Sequence, residues 1–323
     1  AASMSHVAWD GFAHHDTIFP LFLFIAGVSF PYSVAKQRAG GMSEGRIYAK
    51  IVRRGLTLVV LGMVYNGLFK LDFENLRIAS VLGRIGLAWS IAAVLYLNFG
   101  VKTRAAIAVA VLAGYGALSA LVAAPDAAGA GPLTFEGNLA GYIDRQFLPG
   151  KLIYGSFDPE GLLSTVPAVV TAMLGMFTGE FVRRGDIRGG RKTLWMAAAA
   201  AALLAAGLAF SGVLPVNKKL WSSTFVCVVG AYSLGMFALF YYLIDVRGWR
   251  RWTLFFRVVG LNSITIYLAQ RIVGFGRISD FFLGRIASKC PEAVAAVISS
   301  AGYVAVCWLF LYFLYRKNVF LKV

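Results

Sequence analysis

Charged residues are scarce in this sequence, and acidic ones are the scarcest. Only 14% of its 323 residues are Asp, Glu, Lys or Arg, whereas 59% are hydrophobic, and the mean hydropathy is +0.71. Soluble domains carry about 25% charged residues, so this composition excludes an ordinary soluble domain and predicts an integral membrane protein in a lipid bilayer. The net charge of +16 is then interpreted as a signal of membrane orientation, and no nucleic-acid partner is predicted.

Cysteine is also rare, and so are the motifs of common enzyme classes. The three cysteines are too few and too scattered for a disulfide framework, and Cys227 and Cys307 lie inside apolar runs, where cysteine behaves as a small hydrophobic residue. The patterns GxSxG, P-loop, CxxC and HExxH do not occur in the sequence. This excludes the enzyme classes that those patterns identify.

Long apolar runs are what the sequence has instead. A helix needs about 20 mostly apolar residues to cross a hydrocarbon core about 30 Å thick. The runs that meet this length are roughly 17 to 35, 52 to 69, 78 to 98, 105 to 124, 161 to 182, 193 to 213, 221 to 244, 253 to 275 and 292 to 315. We therefore predict an all-α transmembrane bundle of nine helices, organised as a single membrane domain over 1–323. One further helix is expected upstream, because the number of spans is odd.

Lysine and arginine are unevenly divided between the connections. Most lie in alternate connections, including 36–54, 183–192 and the C-terminal end. Because cytoplasmic connections carry the excess of basic residues, we predict that the C-terminus is cytoplasmic. The same rule places the N-terminal segment 1–16 and the long loop 125–160 outside the cytoplasm.

Polar residues crowd the N-terminal segment directly before the first apolar run. It contains His6, His14, His15 and Asp16, so we predict that the chemistry of the protein lies here. His14 and His15 are interpreted as interfacial polar residues. A metal site built from these four side chains would lack two histidines four residues apart on one helical face, and no metal is predicted.

Two outer connections carry further polar candidates. Asp158 and Glu160 in DPEG are interpreted either as a helix start, where acidic residues are favoured by the helix dipole, or as a carboxylate pair that faces a sugar. In PVNKKLW, Trp221 is either an interfacial anchor or, with Asn217 and Lys218, part of a polar ligand site. Both alternatives stay open for each connection.

A few polar residues fall inside the apolar runs, where their burial is costly. Arg84 needs a carboxylate or a ligand phosphate, and Asp16 is the partner that we predict, unless both side chains extend to the interface. Asn262, Ser263 and Tyr267 either form interhelical hydrogen bonds or line a cavity.

Several motifs together carry a resemblance to a known family. HVAWDGFAHHDTIFPLFLFIAGVSF resembles the His-x-x-Trp-x-Gly segment and the following Asp-x-x-Phe-Pro that open the catalytic domain of heparan-α-glucosaminide N-acetyltransferases. The motifs RIASVLGRIGLAW, GYIDR, DPEGLL, PVNKKLW, GLNSITIY and the terminal LYRKNVFLKV occur in the same order as in that family. Dispersed motifs in register over essentially the whole chain are more specific than any one of them.

The resemblance implies transmembrane acetyl transfer from cytoplasmic acetyl-CoA to the amino group of a glucosamine-type sugar, or a glycan such as heparan sulfate, on the far side. The family's catalytic histidine falls on His6, as a general base or as a carrier of the acetyl group. Asp16 is predicted to act with it. The candidates for acceptor binding are Trp9, Asp158, Glu160, Asn217, Lys218 and Trp221. The candidates for cofactor binding are Arg84, Asn262 and Ser263.

The sequence departs from the family at two points, and one rival function stays open. The family's asparagine from a preceding helix has no counterpart in this chain, and Gln270 stands where the lysosomal enzyme has a histidine. Bacterial relatives imply an inner-membrane location, and a homodimer is a further expectation. The alternative is an amino-sugar transporter with Arg84 on the substrate pathway, although no pair of Gly/Pro-broken helices recurs in matching halves.

Overall fold

Helices make up both parts of the molecule. The structure, a computed structural model, describes residues 7–321. The chain divides into two compact units, Ala1–Arg247 and Gly248–Val323. Across the described residues there is no β-strand, only two isolated bridges. This confirms the predicted all-α class.

Unit 1 contains eight α-helices: α1 (Ile18–Ala39), α2 (Glu44–Tyr65), α3 (Val81–Asn98), α4 (Val101–Leu121), α5 (Leu139–Phe147), α6 (Leu162–Arg183), α7 (Gly189–Ala209) and α8 (Ser223–Tyr241). A short 3₁₀ helix, His14–Thr17, precedes α1, and a π-helical turn, Tyr242–Val246, follows α8. Unit 2 contains four: α9 (Thr253–Leu261), α10 (Ser263–Ile272), α11 (Phe275–Ala287) and α12 (Glu292–Arg316).

The helices confirm an integral membrane protein but not the predicted count of nine spans. Within 7–321, seven helices are long and apolar enough to cross a membrane: α1, α3, α4, α6, α7, α8 and α12. The predicted run 52–69 belongs to α2, which starts earlier and carries Lys50, Arg53 and Arg54. The predicted run 253–275 is interrupted at Asn262, whose backbone leaves the helical region (φ −128°, ψ 28°). Counting apolar residues registers neither the true helix start nor such a break.

Helices α1 and α6 pack backbone to backbone in unit 1, and glycines allow this close approach. A Cβ atom on Gly175 would lie 2.0 Å from the carbonyl oxygen of Phe24, and one on Gly179 would lie 2.2 Å from that of Val28. Small residues allow membrane helices to approach backbone to backbone. Because Phe24 meets Gly175 and Val28 meets Gly179, the two helices run in the same direction, which brings the start of α1 beside the first turns of α6.

Candidate active site

The N-terminal segment is held by the 215–221 turn, which connects α7 to α8. The Gly11 backbone N–H donates to the Val216 carbonyl oxygen at 2.8 Å. The Asn217 carboxamide nitrogen donates to Asp10 Oδ1 at 3.0 Å. Two parts of the chain that are far apart in sequence therefore lie together just before the N-terminus of α1.

Lys219 adds a third connection between the same two parts. Its Nζ donates to the Ala8 carbonyl oxygen at 2.5 Å, and it lies 4.5 Å from the centre of the Tyr154 ring. Such a cation over an aromatic face contributes roughly 0.5–1 kcal/mol at exposed sites. The lysine that binds the segment is thus itself held by the long loop 125–160.

Trp9 lies in an aromatic cluster and is half-buried. Its indole N–H donates to the Leu133 carbonyl oxygen at 2.9 Å, and its ring packs edge-on against Phe135 and Phe157, with centroid distances of 5.2 and 5.9 Å. Much of the Trp9 ring therefore attaches the N-terminal segment to the loop 125–160.

Asp16 forms a buried ion pair with Lys218. The carboxylate is 2% exposed, and its Oδ1 lies 3.2 Å from Lys218 Nζ, while Oδ2 accepts from the Ala13 backbone N–H at 3.2 Å. Burial lowers the pKa of Lys218, and Asp16 and then Glu160 oppose that shift. The predicted Arg84–Asp16 pair was wrong in its cation, since Lys218 comes from a turn whose position the sequence does not reveal.

Asp158 and Glu160 meet Arg77, which the sequence analysis did not single out. Arg77 Nε and Nη2 donate to the two oxygens of Asp158 at 2.7 and 2.6 Å, and Nη2 also donates to Glu160. Burial by itself lowers the pKa of Arg77, but the bonds and charges of the two carboxylates raise it above its usual value. Because Asp158 is fully buried, this ion pair fixes two loops together. The RIASVLGR motif was the available signal for Arg77.

Asp144, which sequence reasoning also missed, closes the start of α6. It is fully buried and accepts from the Leu162 backbone N–H at 2.9 Å and from the Asp158 backbone N–H at 3.4 Å. Burial raises the pKa of Asp144 to about 6, although these two hydrogen bonds act in the opposite direction. A carboxylate at this place satisfies helix N-terminal amides that have no partner within the helix.

Arg84 is buried in α3 with few partners. Its side chain is 2% exposed, one nitrogen donates to Ser164 Oγ of α6, and the guanidinium lies 4.9 Å from the Trp221 ring. Its Nε and Nη1 make no hydrogen bond within the described part of the chain. A charged group with unused donors is costly to bury, which marks this position as a candidate ligand contact.

Trp221 is a core residue in this structure. It is 1% exposed, and its indole N–H lies 3.3 Å from Thr171 Oγ1. Phe19 packs edge-on against it with a centroid distance of 5.0 Å. Trp221 therefore links the start of α1 to α6 at the level of Arg84, and it is not an exposed interfacial anchor.

A cavity of about 440 Å³ lies beside Arg84. Arg84 and Glu160 contribute to its wall, and most of the remaining lining is apolar, for example Leu87, Ile91 and Val169. An apolar cavity with few polar groups is typical of small-molecule sites.

Asn262 and Ser263 belong to unit 2, where they mark the break between α9 and α10. Asn262 is 1% exposed, and its Oδ1 accepts from Thr265 Oγ1 at 3.1 Å. Its Nδ2 has no hydrogen-bond partner among residues 7–321. A broken helix with a buried polar group is a recurring feature of ligand sites in membrane proteins.

His6 lies outside the described residues, and its predicted role stays a prediction. The other two histidines precede α1 and are exposed, and His14 Nδ1 lies 3.4 Å from the Tyr232 hydroxyl. Over the described range, no group of three or more His, Cys, Asp or Glu side chains is arranged to hold a metal ion.

Comparison with known proteins identifies the family. The family model described as heparan-alpha-glucosaminide N-acetyltransferase, catalytic, matches residues 1–212. The chain belongs to this family. Among curated relatives, the heparan-alpha-glucosaminide N-acetyltransferase of Homo sapiens is 27% identical over 98% of this chain and 55% of its own length. The Mus musculus protein of the same name is 26% identical over 98% of this chain and 56% of its own length. The chain thus spans about half the length of these relatives.

The region matched by the N-acetyltransferase family model contains most of the polar groups described above. It includes Asp16, Arg77, Arg84, Asp144 and Asp158, and it ends before the 215–221 turn. The predicted family is confirmed. The contacts that the turn makes with the N-terminal segment come from the structure alone.

Proposed function

We propose that this chain is a transmembrane acetyltransferase that passes an acetyl group from cytoplasmic acetyl-CoA to the amino group of a glucosamine-type sugar outside the cytoplasm. The observation that carries the proposal is the buried Asp16–Lys218 pair at the start of α1, beside the anchored residues 8–11 that follow His6. The family and the names of the curated relatives support the reaction class.

The proposed reaction needs little activation of the donor, because a thioester is already reactive. The sugar nitrogen attacks the acetyl carbon, the carbon–sulfur bond breaks, and the CoA sulfur leaves with the electron pair. His6 takes the proton from the attacking amine as general base, and that proton finally neutralises the CoA thiolate. In the alternative, the His6 imidazole first carries the acetyl group and then passes it to the amine. Asp16 is assigned to stabilise the positive charge that either route places on the imidazole.

For the donor we assign Arg84. Its Nε and Nη1, which make no hydrogen bond within residues 7–321, and the cavity of about 440 Å³ beside it support a contact with a carbonyl or phosphate oxygen of acetyl-CoA. For Asn262 and Ser263, in unit 2, a role in cosubstrate binding stays a prediction, and the Asn262 Nδ2, which has no hydrogen-bond partner among residues 7–321, supports it. The pantetheine arm is shorter than the bilayer is thick, so we place the transfer in the outer half of the helical bundle.

For the acceptor we assign Glu160 and Lys218, whose side chains keep 12% and 22% exposure. Trp9 is assigned to border this site with the part of its ring that stays exposed. Asp158, Asn217 and Trp221 are at most 1% exposed and already bonded within the protein, so we assign them to supporting the site.

For orientation we propose that the N-terminal segment lies outside the cytoplasm and the C-terminus inside it, in a bacterial inner membrane. The basic loops support this arrangement. It requires α2, which is 22 residues long, to cross as well. Its four cations Arg46, Lys50, Arg53 and Arg54 all lie in its first half, which would face the cytoplasm.

Reconstituted vesicles test the function directly. With labelled acetyl-CoA on the side of the basic loops and glucosamine on the other, the protein should label the sugar, and His6→Ala should abolish labelling. His14→Ala is the matched control, and it should retain activity. Passage of unmodified sugar would favour the transporter instead, and failure to bind acetyl-CoA would refute the acetyltransferase.

A further inference from the structure

Asn217 is hydrogen-bonded within the protein at both ends of its carboxamide. It is fully buried. Its Oδ1 accepts from the Leu220 backbone N–H at 2.9 Å, and its Nδ2 donates to Asp10 Oδ1 at 3.0 Å. One end of the amide thus stabilises its own turn, and the other end holds the N-terminal segment.

The 215–221 turn is a rigid extension of α8. The Asn217 backbone N–H donates to Ser222 Oγ at 3.0 Å, and the Ser222 hydroxyl donates to the Pro215 carbonyl oxygen at 2.8 Å. The same Oγ also accepts from the Phe225 N–H at 3.2 Å as the N-cap of α8. Because a membrane helix fixes this turn, a group bonded to the turn is fixed as well.

The turn binds the N-terminal segment at three successive points. Asn217 holds the Asp10 side chain, and the backbones of Gly11 and Ala8 are bonded to Val216 and Lys219. Lys218, between these positions, pairs with Asp16. The chain that leads to His6 is therefore tied down on the turn that also carries the lysine partner of Asp16.

We propose that Asn217 is a positioning residue for acetyl transfer. By holding Asp10 it fixes residues 8–11, which follow His6 in the sequence, on the turn that carries Lys218, and it makes no contact with the acceptor. This inference rests on the proposed function and deepens it. It assigns to Asn217 a role in the chemical step and none in acceptor binding.

Exchanging the two side chains tests the inference. Asn217→Ala and Asn217→Asp should each lower kcat by about 10²-fold, the scale expected for small misplacement of a reacting group, with the KM for the sugar unchanged. The double variant Asp10→Asn/Asn217→Asp restores a donor and an acceptor in reversed positions, so most of the lost kcat should return. Asn75→Ala is the matched control, because Asn75 is an exposed asparagine whose side chain is hydrogen-bonded to Asp72, far in the sequence from the 215–221 turn.

Hydrogen exchange supplies a readout that does not depend on activity. The Gly11 amide, bonded to Val216 in the intact protein, should exchange at least about tenfold faster in Asn217→Ala, as expected when local opening becomes easier. Asp10→Ala removes the same bond from the other side and leaves the turn's own bonds intact. Asp10→Ala should therefore also speed the exchange of the Gly11 amide, and it can be measured in place of Asn217→Ala if that variant does not fold.

The outcomes separate this inference from the function on which it rests. Unchanged exchange in both single variants would overturn the anchoring, whatever the activity. A raised KM for the sugar with unchanged kcat would overturn it too, because Asn217 would then contact the acceptor. Absence of acetyl transfer by the unsubstituted protein, with faster exchange in the variants, would overturn the proposed function and not the anchoring.

Discussion

Arg77 and Arg84 stand close together in the sequence, on either side of the residue where α3 begins, and their surroundings are opposite. Arg77 is bonded to Asp158 and Glu160 outside the apolar run. Arg84 lies inside the run and contacts Ser164 and the Trp221 ring, and its Nε and Nη1 have no hydrogen-bond partner among the described residues. The first arginine completes the fold by neutralising carboxylates. The second lies beside a cavity, and this is why we propose it as a ligand contact and not as part of a structural ion pair.

Removal of Arg77 should have the largest effect on stability. Arg77→Ala leaves the fully buried Asp158 carboxylate without its cation, and breaking a buried pair from one side costs about 3–5 kcal/mol. Thermal unfolding in detergent should therefore show a large fall in Tm. Arg145→Ala is the control, since its partner Asp126 is 37% exposed and an exposed ion pair contributes much less to stability than a buried one. Equal losses in the two variants would remove the distinction between these ion pairs.

Asp144 extends the comparison, because it is buried like Asp158 but bonded to backbone amides instead of an arginine. Asp158 and Arg84 are the charged groups that influence it. With a folded pKa of about 6 against about 3.9 when unfolded, the folded state holds a proton that the unfolded chain releases. Stability is therefore lost as the pH rises from about 4 to about 6, by up to about 3 kcal/mol.

Asp144→Asn removes this titration while it keeps the size of the side chain. The Tm of the unsubstituted protein should fall more steeply between pH 4 and pH 6 than the Tm of the variant. Asp126→Asn is the control. The hydrogen bond from Arg145 lowers the pKa of Asp126. The stability that this carboxylate contributes therefore increases as the pH rises. Parallel Tm profiles for the unsubstituted protein and Asp144→Asn would contradict the raised pKa.

Arg84 should show the smallest effect on stability and a clear effect on donor binding. Arg84→Met replaces a buried cation with an apolar side chain of similar length, which is often neutral or stabilising. The free energy of unfolding should therefore change by no more than about 1 kcal/mol, and Tm should change little. The KM for acetyl-CoA should rise about tenfold or more, from the loss of a charged hydrogen bond worth about 1.5–3 kcal/mol. Arg84→Lys keeps the positive charge, so its KM for acetyl-CoA should rise less than that of Arg84→Met. A fall in Tm as large as that of Arg77→Ala would make Arg84 structural as well.

Prediction from the sequence worked best where the signal is local. Runs of apolar residues located all seven of the described helices that are long and apolar enough to cross a membrane, and α12 is the most apolar, over Glu292–Arg316. The run 253–275 was wrong as one helix, because the break at Asn262 is a backbone feature that hydropathy does not register. Asp16 was singled out correctly as a charged group at the start of a helix, but its cation was assigned to Arg84 instead of Lys218.

The sequence by itself determined the membrane class, the helical architecture and the family, because apolar length and motif order can be read along one chain. Only the tertiary structure decided which charges meet. Lys218 reaches Asp16 across 202 residues, and Arg77 reaches Asp158 across 81. An unpaired buried charge costs free energy, so each buried charge needs a partner. The sequence alone is compatible with many different pairings. The close packing of α1 on α6 and the position of the turn before α8 bring Lys218 within reach of Asp16.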